Sequence, residues 1–340
     1  MMKKLFIFFV CGLIAANSFS QDVNFSQFYK LPLLRNPALS GIFKGDIRVT
    51  SAFRSQWGAV GVPFKTVALG TEVKFGVGES NDYVGLGLQV TNDVAGDSRL
   101  GRTQVFPVVA YHKSINSDRD TYVSLGFIGG AVQQRFDPSK LRFDDQFVGG
   151  AYSPTNPTRQ TFNNSNHTYL DAGVGAAFST QMGYDSRFYV GASYYHLSQP
   201  KVAFDPTYDI RMNRKLMLNA GFSTATSDYD RVIFYADFFV QGGSAQGQGG
   251  FLFKHDLIQD FEDEAVSISL GSFYRWNDAV IPVIELDYYN FNVGITYDVN
   301  VSKLKTASQG RGGFELSVTY KDFLNIRNSS AQKVRCPSFY

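Results

Sequence analysis

The sequence predicts an all-β fold, a transmembrane antiparallel β-barrel of about fourteen strands. Three observations predict it. Apolar and polar residues alternate from about Lys44 to Lys321, as in Phe291, Val293, Ile295, Tyr297, Val299 against Asn292, Gly294, Thr296, Asp298, Asn300. A period of two is the mark of a strand with unlike faces. The segments are many, and each is roughly ten residues long, the length that crosses a bilayer as a tilted strand. An export signal precedes them. A soluble sandwich could share the first property but not all three.

Met1 to Ser20 reads as a secretory signal peptide. Lys3 and Lys4 form the charged start, Leu5 to Ala16 is an apolar stretch too short to span a membrane, and Ser18-Phe19-Ser20 offers small residues for cleavage before Gln21. Cys11 has no Leu three residues before it, so it makes a poor lipoprotein signal. No later stretch is long and apolar enough for a transmembrane helix. A membrane form must therefore be a closed barrel, because lipid offers no partner to an open sheet edge.

Residues 21–43 form an N-terminal segment, periplasmic or lumenal, in which Pro32 and Pro37 prevent a continuous strand or helix. Residues 44–324 hold the barrel. Strands are expected near 45–57, 65–77, 82–94, 103–116, 120–133, 168–181, 186–198, 214–226, 231–243, 247–255, 264–275, 280–288, 290–299 and 312–322. Val84, Leu86, Leu88, Val90 against Gly85, Gly87, Gln89, Thr91 mark the third, and Phe314, Leu316, Val318, Tyr320 against Glu315, Ser317, Thr319, Lys321 the last. Residues 325–340 form a C-terminal periplasmic tail, either a docking strand for partners or an assembly signal ending in Phe339-Tyr340.

The connections test the reading independently. Outer-membrane barrels have short periplasmic turns and longer extracellular loops. The outward set includes Asp93 to Thr103, Gln134 to His167, Leu197 to Asn213 and Asn300 to Gly312. The inward set includes Gly76 to Asp82, Ile115 to Arg119, Gly183 to Ser186, Thr226 to Asp230 and Tyr289-Asn290, with Asp256 to Glu264 the exception. Aromatics make up 15% of the chain, with 31 Phe and 19 Tyr, and pairs such as Tyr194-Tyr195, Phe238-Phe239 and Tyr288-Tyr289 suit aromatic girdles.

Loss of Lys3 and Lys4 leaves 30 basic residues against 30 acidic, a balance without the basic surface that nucleic acid requires. After export Cys336 is the remaining thiol, so no disulfide framework or thiolate metal site is expected. His112, His167, His196 and His255 are scattered and lack zinc spacing. No compact His/Ser/Asn arrangement suggests a membrane hydrolase. The acidic run Asp260, Glu262, Asp263, Glu264 and the pair Asp144, Asp145 in the longest loop lack the spacing of a calcium loop. Gly242 to Gly250 has no lysine and reads as a flexible outer turn rather than a phosphate loop. No cofactor, metal or catalytic residue is assigned.

A wide fourteen-strand lumen invites an occupant. Glu72, Lys74, Glu315 and Lys321 are expected to face it. Arg54 and Gln56, two apart, share the lumen face of the first strand, with Trp57 beside them. They could pin Gln21 to Gly41 to the inner wall as an ordered hatch. The alternative is an ordinary periplasmic tail.

The mature start Gln21-Asp22-Val23-Asn24-Phe25-Ser26-Gln27-Phe28-Tyr29, with Asn36-Pro37-Ala38-Leu39-Ser40-Gly41 and Phe53-Arg54-Ser55-Gln56-Trp57, closely resembles the opening of the PorP/SprF family. Phe53 stands where that family usually has Tyr. Further similar stretches are Phe143-Asp144-Asp145-Gln146-Phe147, His196-Leu197-Ser198-Gln199-Pro200, Tyr274-Arg275-Trp276-Asn277-Asp278-Ala279, Tyr297-Asp298-Val299-Asn300, Gly313-Phe314-Glu315-Leu316-Ser317 and Cys336-Pro337-Ser338-Phe339. The resemblance spans essentially the whole mature chain. It implies an outer-membrane protein of the type IX secretion and gliding machinery of Bacteroidetes. The implied partners are outer-membrane lipids, the periplasmic ring, a peptidoglycan-binding lipoprotein, and a large secreted adhesin with a type B C-terminal signal domain. The residues expected to serve the hatch or partners are Phe25, Gln27, Phe28, Tyr29, Asn36, Arg54, Gln56, Trp57, Asp144, Asp145, Cys336 and Phe339. The alternative function is a channel for hydrophobic small molecules of the fatty-acid-transporter (FadL) kind, which a greasy lumen pocket or a lateral gap in the wall would favour.

Overall fold

The computed structural model describes residues 22–58, 61–78, 81–183, 185–258, 266–303 and 305–324. Residues 1–20, expected to be a signal peptide, the acidic run 260–264, and residues 325–340, expected to be a periplasmic tail, lie outside the described residues. Within these, the strands are β1 (Ile47–Gln56), β2 (Phe64–Gly76), β3 (Tyr83–Ala95), β4 (Leu100–Asn116), β5 (Thr121–Arg135), β6 (Phe147–Val148), β7 (Ala151–Tyr152) and β8 (Asn166–Met182). They continue as β9 (Ser186–Tyr195), β10 (Lys215–Ala225), β11 (Asp230–Gln241), β12 (Ser244–Ile258), β13 (Val266–Arg275), β14 (Ala279–Tyr288), β15 (Phe291–Asn300) and β16 (Arg311–Asp322). All but β6 and β7 close into one antiparallel barrel of fourteen strands, with β1 paired to β16. The pair β6–β7 is a small hairpin in the longest loop. No described helix is long and apolar enough to cross a membrane.

Alternation places each side chain. In β15, Phe291, Val293, Ile295, Tyr297 and Val299 are exposed on the outer wall, while Asn292, Thr296, Asp298 and Asn300 are buried in the lumen. Closure leaves no unpaired edge for lipid to meet. Pro107 in β4 and Pro282 in β14 lack an N–H, and bridging lapses there between β4 and β5 and between β14 and β15. The register is the same on both sides of each lapse, so the wall stays in one alignment.

Each of the fourteen expected strands corresponds to a barrel strand. Several run further than expected: β3 and β4 reach Ala95 and Leu100, and β5 and β8 reach Arg135 and Asn166. Pairs such as Asp93↔Arg102 and Arg135↔Asn166 extend the ladders beyond the apolar band. The connection after β3 is therefore shorter than Asp93 to Thr103. Gly242 to Gly250 is mostly strand, not a flexible turn. Only Gly242 and Gly243, at φ 57° and 82°, make the reversal, and Ser244 to Gly250 pair with β11. Of the aromatic pairs, Tyr194 and Phe238 face outward while Tyr195 and Phe239 turn into the lumen, as period two requires. Tyr288 and Tyr289 both lie at a rim, edge to face at 4.5 Å.

The connections after β5, β9 and β15 gather at one rim, the long-loop rim. The opposite, short-turn rim carries Val77–Asp82, 117–120 and the Tyr289–Asn290 link. Two tight reversals, 242–243 and 276–278, also sit at the long-loop rim. The hydrophobic core lies inside the lumen, between the wall and the N-terminal segment.

Candidate functional site

Residues Asp22 to Asp46 run through the barrel. Asp22 meets Arg102, His196, Lys215 and Gln241, all at strand ends of the long-loop rim. Asp46 donates its N–H to Asp322 O at 2.7 Å at the short-turn rim. Two prolines shape the path. Pro32 opens a single helical turn, Pro32–Arg35, and Pro37 opens a 3-10 turn, Pro37–Leu39, at the position where a missing N–H costs nothing. Between them Asn36 is extended, and its Oδ1 accepts from the Ala38 N–H at 2.9 Å, capping the second turn. A further 3-10 turn spans Phe28–Lys30.

The wall holds this segment through buried charge pairs. Both oxygens of Glu315 accept backbone N–H groups, from Gln27 at 2.8 Å and Ser26 at 2.7 Å. Arg54 donates to Glu315 at 3.1 Å, to Asp298 at 2.7 Å and to the Ser26 hydroxyl. Arg275 donates to the same hydroxyl at 2.8 Å. Glu315 and Arg54 are also cross-strand partners at the β1–β16 seam. Gln27 donates to Gly294 O at 3.3 Å and accepts from Ser317 at 2.6 Å.

Lower in the lumen, Glu285 accepts from Tyr29 at 2.6 Å and from Lys30 at 2.7 Å. Arg35 grips Asp237 through Nε at 2.9 Å and donates to Tyr189 at 2.8 Å. Asn36 donates to Ala176 O at 3.0 Å. His112 meets Ser40 O at 2.7 Å, and Lys74 donates to Phe43 O at 2.6 Å. Charges this deep persist only when paired and hydrogen-bonded. Apolar contacts complete the packing. Tyr29 stacks on Tyr235 at 4.8 Å and on Phe273 at 5.0 Å, and Phe28 meets Phe273 edge-on at 5.4 Å. Phe25 packs with Leu31, Ala52 and Ala68.

Asp22 and His196 form a compact electrostatic latch. His196 Nε2 lies 2.8 Å from Asp22, and Nδ1 lies 2.5 Å from Asp171. Burial alone would lower the imidazole, but the two carboxylates hold it up to about 9. Burial alone would raise Asp22, but His196, Lys215 and Arg102 hold it well below the usual carboxylate range.

The structure brings together Phe25, Gln27, Phe28, Tyr29, Asn36 and Arg54. Gln56 accepts from Arg54 Nε at 3.1 Å and supports it from the side. Trp57 stands apart: β1 ends at Gln56, φ turns to 61°, and the indole packs on Phe64 at 4.8 Å at the rim. Asp144 is exposed at a loop turn. Asp145 accepts from the Arg159 N–H at 2.7 Å, which orders the loop itself. Cys336 and Phe339 lie outside the described residues.

Sequence reading missed the wall partners Asp237, Glu285, Asp298 and Arg275. Their signal was a lone charge on the inward phase of an apolar strand. It also scattered the histidines, of which two serve the segment. His112 is an interior residue of β4, and its Nδ1 lies 2.7 Å from Ser124 Oγ. This His–Ser pair is fully buried beneath Ser40. Among the described residues no group of three or more His, Cys, Asp or Glu could hold a metal ion.

Similar barrels are known. A Pseudomonas aeruginosa FadL homologue is 11% identical, with TM-score 0.48, covering 84% of this chain and 92% of its own. The Pseudomonas putida toluene transporter TodX is 8% identical, with TM-score 0.47, covering 85% and 92%. BamA from Haemophilus ducreyi lacking POTRA domains 1–3 is 10% identical, with TM-score 0.38, covering 82% and 71%. No curated protein matches in sequence. The family profile described as type IX secretion system membrane protein PorP/SprF matches residues 17–320. With its lipid-facing wall, closed sheet and this match over most of its length, the chain belongs to the PorP/SprF family and is an outer-membrane β-barrel of the type IX secretion system.

Proposed function

We propose that this protein is a stationary binding component of the type IX secretion and gliding apparatus, exported by its Met1–Ser20 signal. Its short-turn rim and C-terminal tail engage ring and peptidoglycan-linked lipoproteins. Its long-loop rim faces outward and supports the export or anchoring of a large adhesin with a type B C-terminal signal domain. The segment 22–43 seals the lumen from within. It carries out no catalysis.

The observation that carries this reading is the anchoring of residues 22–43 along the lumen, by ion pairs of Asp22, Lys30 and Arg35 with the wall and by the Glu315 carboxylate on the Ser26 and Gln27 N–H groups. The cavity beside Asp22, Phe106 and Tyr195 measures about 40 Å³, room for water but not for a fatty acid. The test is a mild-detergent pull-down of the tagged protein from its native outer membrane, with co-purifying proteins identified by mass spectrometry. Ring lipoproteins and a large adhesin are expected. A bare barrel carrying only hydrophobic small molecules would replace this reading with a channel.

A further inference from the structure

A groove of about 1040 Å³ opens at the long-loop rim, lined by residues that include Trp57, Phe238, Gln246, Tyr274, Trp276 and Lys303. The chain has two tryptophans, and both line it. Its lower part is continuous with the lipid-facing wall, where Phe238 and Tyr274 are each 46% exposed. Gly247 has no side chain between them, and the Trp276 and Phe238 rings close over it. Its upper part is polar. Gln246 donates to Trp276 O at 3.1 Å, and the Asp278 carboxylate pairs at 2.9 Å with Arg275, which it shares with Asp298.

Lys303 is the cation of the groove's lining, and the chain that follows it is basic too. The connection from β15 to β16 brings exposed Lys303 and Lys305, exposed Arg311 follows it, and residues 301–311 include no acid. We infer that the groove is a binding site for a phosphorylated outer-leaflet glycolipid, whose acyl chains lie on Phe238 and Tyr274 and whose phosphates face Lys303, Lys305 and Arg311. A water-soluble polar partner leaves the outward rings Phe238 and Tyr274 uncovered, and a zwitterionic lipid brings no net charge to the three cations. Indole rings favour this level of the membrane, apolar on one side and wet on the other. The assignment rests on the long-loop rim facing outward.

Intrinsic fluorescence tests the site directly, since both tryptophans report from it. Full-length protein in neutral detergent is titrated with bisphosphorylated lipid A, with its phosphate-free counterpart, with a zwitterionic phospholipid and with inorganic phosphate. A saturable emission change is expected with lipid A. Binding of the phosphate-free form is expected to be about fivefold or more weaker, and inorganic phosphate gives no response. Lys303→Glu combined with Lys305→Glu, checked for an intact barrel by its heat-dependent gel shift, should weaken lipid A binding by about tenfold or more. An equal response to the zwitterionic lipid, or binding unchanged by the charge reversal, overturns the site and leaves an ordinary aromatic girdle. A response to inorganic phosphate alone overturns it in favour of a plain anion site. Orientation is checked separately with Lys303→Cys in a Cys336→Ser background. Labelling by an impermeant maleimide on whole cells is expected, and labelling only after permeabilisation would reverse the rim rather than refute the groove.

Discussion

Glu315 does three jobs at once: it accepts from two successive N–H groups of the N-terminal segment, balances Arg54, and closes the β1–β16 seam. Glu315→Gln keeps the shape, removes the charge and turns an amide donor toward donors. Breaking a buried pair this way costs about 3–5 kcal/mol. The loss should appear as protease cleavage within residues 22–43 while the barrel still migrates as a folded species. Arg54→Ala should do the same, and the double variant should cost less than the two singles together, because they share one network. Strict additivity would show the two residues to be independent. At Asp22, the sign of the pH effect follows from His196. Its folded value is raised, so its contribution is fully present below 6.5 and is lost as pH rises through about 9. Asp22 is depressed, so its share is present above 3.8 and is lost only as pH falls through the lower folded value. A spin label at Val23→Cys is therefore expected to stay immobile at neutral pH and to loosen above about pH 9. No change across that range would remove His196 from the latch.

Among the elements, the inward face of the wall is shaped to receive the segment's turns. A Cβ on Gly126 of β5 would strike the backbone of Pro37 and Ala38, so the turn Pro37–Leu39 lies flush on bare wall. Gly126→Val should cost about 1–3 kcal/mol by overpacking, read in thermal denaturation. Gly61→Ala, which meets nothing within 4 Å, should stay within about 0.5 kcal/mol of the parent. Equal effects at both positions would show that the turn does not bear on Gly126. The strands themselves were legible because period two survives every sequence accident along the wall. Their ends were not, because β3, β4, β5 and β8 continue past the apolar band on polar pairs such as Asp93↔Arg102. The apolar lumen patch was also hidden. Ile233, Leu252, Phe273 and Ile281 face Phe28 and Tyr29, whereas an inner face was expected to be polar. From the candidate site, the segment and Arg54 could be read from short local stretches. Asp237 could not be matched to Arg35, because 202 residues separate them and only the curvature of the closed wall brings them together.

For the whole molecule, the testable property is permeability. Fourteen strands enclose a lumen that side chains alone do not fill, and residues 22–43 pack within it. In planar bilayers the intact protein is expected to show no conductance steps. Deletion of residues 22–40 downstream of the signal should produce porin-like steps. Steps of equal size in the intact protein would mean that the segment does not seal. The alternation of wall faces made the barrel readable, whereas the placing of the segment rests on contacts from almost every part of the circumference.

The path of that segment also constrains how the molecule is made. Asp22 is held near one rim and Asp46 leaves at the other, one residue before β1 begins. The chain is thus enclosed by a wall whose last strand, β16, is synthesised last and zips onto the first. Once zipped, the enclosed stretch can leave only by threading or by reopening that seam. Geometry therefore leaves two routes of assembly: the early residues are laid in place while the wall is still an open sheet and the final strand locks them in, or they thread in through a rim after closure.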